Sequence, residues 1–158
     1  MKITFSSKID DDVKKKWDIK NPGERQFDFY LMCYLNSPDG WCQKGYFFDK
    51  VVRDPRVEIR LSSTKTIEKV CPGIKGLSCA ELGGRHMYLN AERWFGGASK
   101  SGLKLEEYRQ YMVSHEMGHI LGHDHETCAC TGCHAPVMMQ QTLGLKSCTP
   151  NTNVSITK

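Results

Sequence analysis

Four histidines and two glutamates fall within the thirteen residues SHEMGHILGHDHE, 114–126. His115 and His119 are four apart, one helical turn, so both imidazoles leave the same face and can share one ion. Neutral imidazole nitrogens suit zinc, which takes three protein ligands at a catalytic site and leaves a fourth position open. Glu116 follows the first histidine and can sit beside the metal without binding it. There it can take the proton of a zinc-activated water. A third ligand must come from outside the helix. Gly122 lets the chain leave, because glycine adopts the left-handed conformation at a helix end without penalty. The string H-E-x-x-H-x-x-G-x-x-H then selects His125 and leaves His123 as a surface or supporting residue. At this composition H-E-x-x-H arises by chance in roughly one per cent of chains, and the long form in a few per hundred thousand. A single histidine on an apolar face is more often a hydrogen-bonded core residue. Two on one stripe with a glutamate between them point to a metal.

The helix that must carry them is predicted over 103–122. Leu105, Tyr108, Met112, His115 and His119 step by three, four, three and four, so the histidines are expected to continue a buried face. Upstream, 2–7 alternates and reads as a strand, 10–24 is polar with a turn at Asn-Pro-Gly 21–23, and 25–36 has the spacing of an amphipathic helix. Strands are expected over 44–51 and 56–63, and a short helix over 63–71 capped by Ser63 or Thr64. A hairpin around Gly83-Gly84 is expected within 76–90, followed by loop from 91. Trp94 and Arg93 read as core rather than cleft.

The chain has 158 residues, enough for one domain with a real core. It contains no run of 18 apolar residues, so no membrane span is expected. The start, MKITFSSKID, lacks the apolar stretch of a signal peptide. The net charge of +4 is scattered apart from VKKKW at 13–17, which reads as a solvated face, and no nucleic-acid motif supports a nucleic-acid partner. Eight cysteines suggest disulfides and an oxidising setting, secreted or virion. The alternative is that Cys128, Cys130, Cys133 and His134 hold a second, structural zinc. Thirteen residues after His125, APVMMQQ supplies Met138 or Met139 as an apolar floor beneath the histidines, with Met138 preferred.

With these residues in view the chain resembles the metzincin clan of zinc peptidases. HEMGHILGHDH, including Asp124, is similar to the matrixin pattern. The resemblance is closer to a family of bacterial secreted metzincin-like domains, over 89–94, 107–128 and 135–148. It implies an α+β fold: a twisted mixed sheet with a backing helix, a zinc-binding active-site helix, and a small C-terminal subdomain with a methionine turn. The whole chain, 1–158, would be one catalytic domain, with subdomains of about 1–122 and 123–158. It implies disulfides Cys71–Cys79 and Cys128–Cys148, which leaves Cys33–Cys42 and Cys130–Cys133 as the remaining pairs. It implies one catalytic zinc on His115, His119 and His125, Glu116 as general base, and hydrolysis of a peptide or protein by a monomer. Gln140 or Gln141 stands where some metzincins place a tyrosine ligand, so no tyrosine ligand is expected. An extended substrate would lie antiparallel to an edge strand at about 77–82. The segment at about 139–146, in which QQTLGL is neutral, would form the specificity pocket. The rivals are a zinc-binding protein that does not cut, a disulfide-rich interaction module, and an exopeptidase.

Overall fold

A computed structural model describes residues 1–20 and 23–158; the expected turn at Asn21 and Pro22 lies outside the described residues. Five strands form one sheet in the order β2-β1-β3-β5-β4: β1 Lys2–Ile9, β2 Phe47–Lys50, β3 Val57–Ser62, β4 Cys79–Ala80 and β5 His86–Asn90. The pairs β1–β2, β1–β3 and β3–β5 are parallel, and β4 alone runs antiparallel. The fold is thus α+β with a mixed sheet. Alternation builds its central strands: Ile3, Phe5 and Ile9 of β1 and Val57, Ile59 and Leu61 of β3 are all buried. Parallel neighbours need crossovers, which the helices supply.

Helix α2, Gly23–Leu35, buries Phe27, Leu31, Tyr34 and Leu35, the stripe its sequence predicts. Helix α3, Thr64–Val70, is capped by Ser63, whose hydroxyl accepts from the Thr66 N–H at 3.1 Å. Two helices were not expected. Helix α1, Asp11–Lys16, carries acids in its first turn and lysines in its last, which complements the helix dipole. Helix α4, Ala91–Gly96, replaces the expected loop, because the buried Asn90 side chain caps it by accepting from the Arg93 N–H. It buries Trp94, as expected, while Arg93 Nε donates to the Gly76 carbonyl at 2.9 Å.

Helix α5, Leu105–Ile120, departs from the amphipathic expectation. Gln110 and every residue from Tyr111 to Ile120 are buried, so the helix is enclosed on all sides from Gln110 onward, while its first turn is exposed and Leu105 at the head of the stripe stays 38% exposed. The far face is closed by Trp41, whose indole N–H donates to the Ser114 carbonyl at 2.8 Å. Gln110 satisfies its amide on the Tyr34 carbonyl and the Ser114 hydroxyl. Gly118 permits the closest approach. A Cβ there would lie 2.3 Å from Met138 Sδ and 2.9 Å from Trp41 Cζ2. Gly118→Ala is therefore expected to cost about 1–3 kcal/mol by overpacking, read as a lowered midpoint in urea with an unchanged slope.

Three disulfides form: Cys71–Cys79, Cys128–Cys148 and Cys130–Cys133. They fit an oxidising setting. The leftover pairing Cys33–Cys42 does not form. Cys33 lies exposed on α2, and the Cys42 thiol turns instead to the Ser37 carbonyl at 2.9 Å. The sulfurs of Cys128, Cys130 and Cys133 are all consumed in disulfides, so the second zinc site considered above lacks its thiolates. Among the described residues no helix is long and apolar enough to cross a membrane.

Candidate metal centre

The end of α5 is where three imidazoles meet. Ligand atoms of His115, His119 and His125 all lie within 4.8 Å of one another, and they are the group among the described residues with metal-binding spacing. The Nε2 atoms of His119 and His125 are 3.2 Å apart. Each helical histidine is oriented by a carbonyl on its other nitrogen. His115 Nδ1 donates to Val137 at 2.7 Å, and His119 Nδ1 donates to His123 at 2.9 Å. A carbonyl can only accept, so both tautomers are fixed with Nε2 free for a metal.

The helix terminus explains the second contact. Gly122 has φ +97°, the Gly122 N–H donates to His119 and the His123 N–H to Gly118, both at 2.9 Å. This is a Schellman ending. It reverses the chain so that the His123 carbonyl faces back to the His119 ring, while the His123 ring stacks on Trp41 with centroids 4.7 Å apart. His123 thus supports the site through its backbone. His125 itself is exposed, and its N–H donates to the Asp124 carboxylate at 2.7 Å.

Residues 137–139 hold the rest in register through three successive carbonyls. Val137 accepts from the His115 ring, Met138 from the Glu126 N–H at 3.0 Å, and Met139 from the Tyr111 hydroxyl at 2.7 Å. The Met138 side chain is fully buried beside Gly118, whereas Met139 packs in a separate cluster with Ala135 and Cys148. Of the two methionines, Met138 is the one against the metal helix. Tyr111 was not singled out in the sequence, although it lies one helical turn before His115 on the same face. Its oxygen also accepts from the Gln141 N–H at 2.9 Å. Tyr111→Phe removes both bonds but leaves the Gln141 N–H donating to the Met139 carbonyl at 2.8 Å, so the expected cost is about 0.5–1.5 kcal/mol, measured by denaturant unfolding.

The electrostatics suit a cation. Burial holds the His115 imidazole down at about 3 and lowers that of His119, so both rings are neutral and ready to coordinate. Glu116 is 5% exposed, and its Oε2 has no hydrogen-bond partner among the described residues. Burial alone pushes its carboxyl up to about 8. An orphaned buried carboxylate beside three convergent imidazoles fits a divalent metal and its water, which would supply the missing partner.

The centre opens into a cavity of about 210 Å³. Ser78, Ala80 and Leu82 line one wall, and Tyr108, Gln140 and Thr142 another. The Tyr108 and Thr142 hydroxyls are paired at 2.8 Å. The edge strand expected at about 77–82 is confined to Cys79–Ala80, and its stretch and the segment after Met138 both border the histidines. Gln141 does not, being fully buried and bonded to Pro136 and Asn151.

No curated protein matches the chain in sequence. Among solved structures, two of myroilysin are each 16% identical, with TM-scores of 0.43 and 0.44, covering 79% and 80% of this chain and 49% and 46% of theirs. The chain thus spans about half the length of the myroilysin chains. Archaemetzincin (AmzA) from Archaeoglobus fulgidus, complexed with malonate, is 16% identical with a TM-score of 0.45, covering 95% of this chain and 93% of its own. A family model described as "Protein of unknown function (DUF3152)" matches residues 3–154, a span that includes every sheet strand but the first residue of β1, the three histidines, Glu116 and Met138. The chain therefore belongs to the DUF3152 family.

Proposed function

We propose that this chain is a single-domain, metzincin-type zinc peptidase. The observation that carries the reading is the pairing of three convergent imidazoles with the unpartnered, buried carboxylate of Glu116. His115, His119 and His125 would hold the ion. Bound there, zinc would lower the pKa of a water from 15.7 to about 7 and polarise the scissile carbonyl. Glu116 accepts the proton of the attacking water and passes it to the leaving amine. Its buried setting favours the proton-carrying form and so assists the first transfer, the uptake of the water's proton. Residues 137–139 serve as the methionine turn, fixing His115 by a carbonyl and the helix by the Met138 side chain.

A substrate strand would pair with the open edge of β4, which borders the cavity. The lining charges are Glu116 and Asp124 beside the histidines, and Gln140 and Thr142 on the far wall are neutral, so a neutral side chain is preferred there. The test is zinc content together with cleavage of a mixed peptide library. One zinc per chain and cleavage lost on chelation supports the proposal. One zinc with no cleavage of any peptide replaces it with a metal-binding role. Two zincs per chain would return the cysteine cluster to metal binding.

A further inference from the structure

The wall that faces the histidines is slight. Strand β4 is two residues long, lies at the sheet edge, and is held by pairing to β5 alone: Cys79 opposite Tyr88 and Ala80 opposite Met87. The Glu81 N–H donates to the His86 carbonyl at 3.1 Å. Antiparallel pairs alternate between bonded and non-bonded. With Glu81 bonded inward, the N–H and C=O of Ala80 point away from β5, toward the open edge. Ala80 is thus the residue whose backbone is offered to an incoming strand.

The stretch before it has little to hold it. Gly73 and Gly76 have positive φ, and residues 72–78 contain no strand or helix. Its non-covalent fastenings are the Arg93 bond to the Gly76 carbonyl, the Asn90 N–H to the Ser78 hydroxyl at 2.8 Å, a long bond of the Asn90 amide to the Leu77 carbonyl at 3.5 Å, and the local Ile74 N–H to the Cys71 carbonyl. The covalent fastening is Cys71–Cys79. Cys71 ends α3, where its N–H donates to the Ile67 carbonyl at 2.8 Å, and Ile67 is buried in the protein interior. Cys79 lines the cavity and is itself a β4 residue. A continuous path therefore runs from buried Ile67 through α3 and the disulfide to the residue beside Ala80.

We propose that the Cys71–Cys79 disulfide is a positioning element for the substrate strand: it holds the open edge of β4 at the histidine triad. Opening it weakens the binding of extended peptides and spares ligands that touch only the metal. This rests on the reading of the cleft as a peptide-binding site. A docking edge fixed in advance costs the bound peptide less ordering entropy.

The experiment compares zinc-loaded wild type with Cys71→Ser/Cys79→Ser, which removes both thiols and leaves no odd cysteine. Two probes are titrated, acetohydroxamate and an extended peptide hydroxamate, with zinc content and peptide cleavage measured in parallel. The expected result is roughly tenfold or greater loss of affinity for the extended probe, with acetohydroxamate affinity and zinc content unchanged. Equal loss for both probes, or loss for neither, overturns the proposal. So does a wild type that binds acetohydroxamate but not the extended probe, because there is then no strand to position. A wild type that binds neither probe sinks both readings. The expected loss of affinity in a protein that cleaves no peptide supports the positioning role and removes the peptidase reading. If the serine variant does not accumulate, Cys71→Ala/Cys79→Val keeps the apolar volume and gives the same comparison.

Discussion

Glu116→Gln is expected to lower kcat/KM for peptide cleavage by roughly 10²–10⁴-fold while zinc remains at one ion per chain. The substitution keeps the size of the side chain and removes the ability to take a proton. Nothing in the fold depends on the carboxylate, because Oε2 bonds to no described residue. The amide sits in the same buried place without the cost of a charge, so the variant should be as stable as the wild type or more so. Retained zinc, a raised unfolding temperature and lost cleavage together mark a proton-transfer role. Cleavage within a few-fold of wild type would mean that another group moves the proton and that the reading of Glu116 is wrong.

Stripping the metal has the second large effect. A ligand bound to the native state at a thousand times its Kd adds about 4 kcal/mol. For a chain of this size that is roughly 8–16 °C in Tm, and scanning calorimetry with and without chelator reads it. The metal-free protein should also show a particular pH dependence. His115 is held at about 3 in the fold against an ordinary 6.5, and His119 is lowered too. As pH falls below about 6.5 the unfolded chain takes up protons that the native state refuses, and stability drops. Each group contributes up to about 1.4 kcal/mol per pH unit. Glu116 acts in the opposite sense. Its folded value of about 8 lies above the ordinary 4.5, so stability declines as pH rises between those values. Two histidines outweigh one glutamate below 6.5, and the glutamate acts alone above it. These groups place the metal-free optimum near pH 6.5. Glu116→Gln should abolish the alkaline decline and keep the acid one. An alkaline decline that survives the substitution would assign it to another group.

The residues that meet at the centre were legible because their chemistry demands a spacing. One helical turn between His115 and His119, and a glycine before His125, leave few other geometries. The strands β1 and β3 were legible for the same kind of reason, since alternation of Ile3, Phe5 and Ile9 or of Val57, Ile59 and Leu61 has one buried solution. Helix α4 was missed because its cap, Asn90, also closes a predicted strand, and the Gly-Gly and serine residues after it read as loop. The enclosure of α5 was missed because periodicity reports one face at a time. Its far side is closed by Trp41, whose place beside Ser114 comes from tertiary packing 73 residues away in sequence. The carbonyls of residues 137–139 could not be seen at all, because backbone groups carry no sequence signal. Cys33 and Cys42 were paired by elimination, and elimination ignores where a helix points its thiol.

The three carbonyls of Val137, Met138 and Met139 have a consequence for how the chain can vary. Each bond is made by the main chain, so a different apolar side chain at Val137 or Met139 leaves it in place. A residue inserted or deleted within this triplet moves every bond at once. It would turn the His115 ring, release the Glu126 amide next to His125 and free the Tyr111 hydroxyl together. The exposed stretch from Ala129 to Gly132 makes no bond to the histidines; a change of length there would disturb the Cys130–Cys133 disulfide and the Gly132 N–H bond to the Ser147 carbonyl, and not the metal ligands directly. At residues 137–139 the protein tolerates spelling changes and not changes of count, which makes the triplet a ruler for the metal centre.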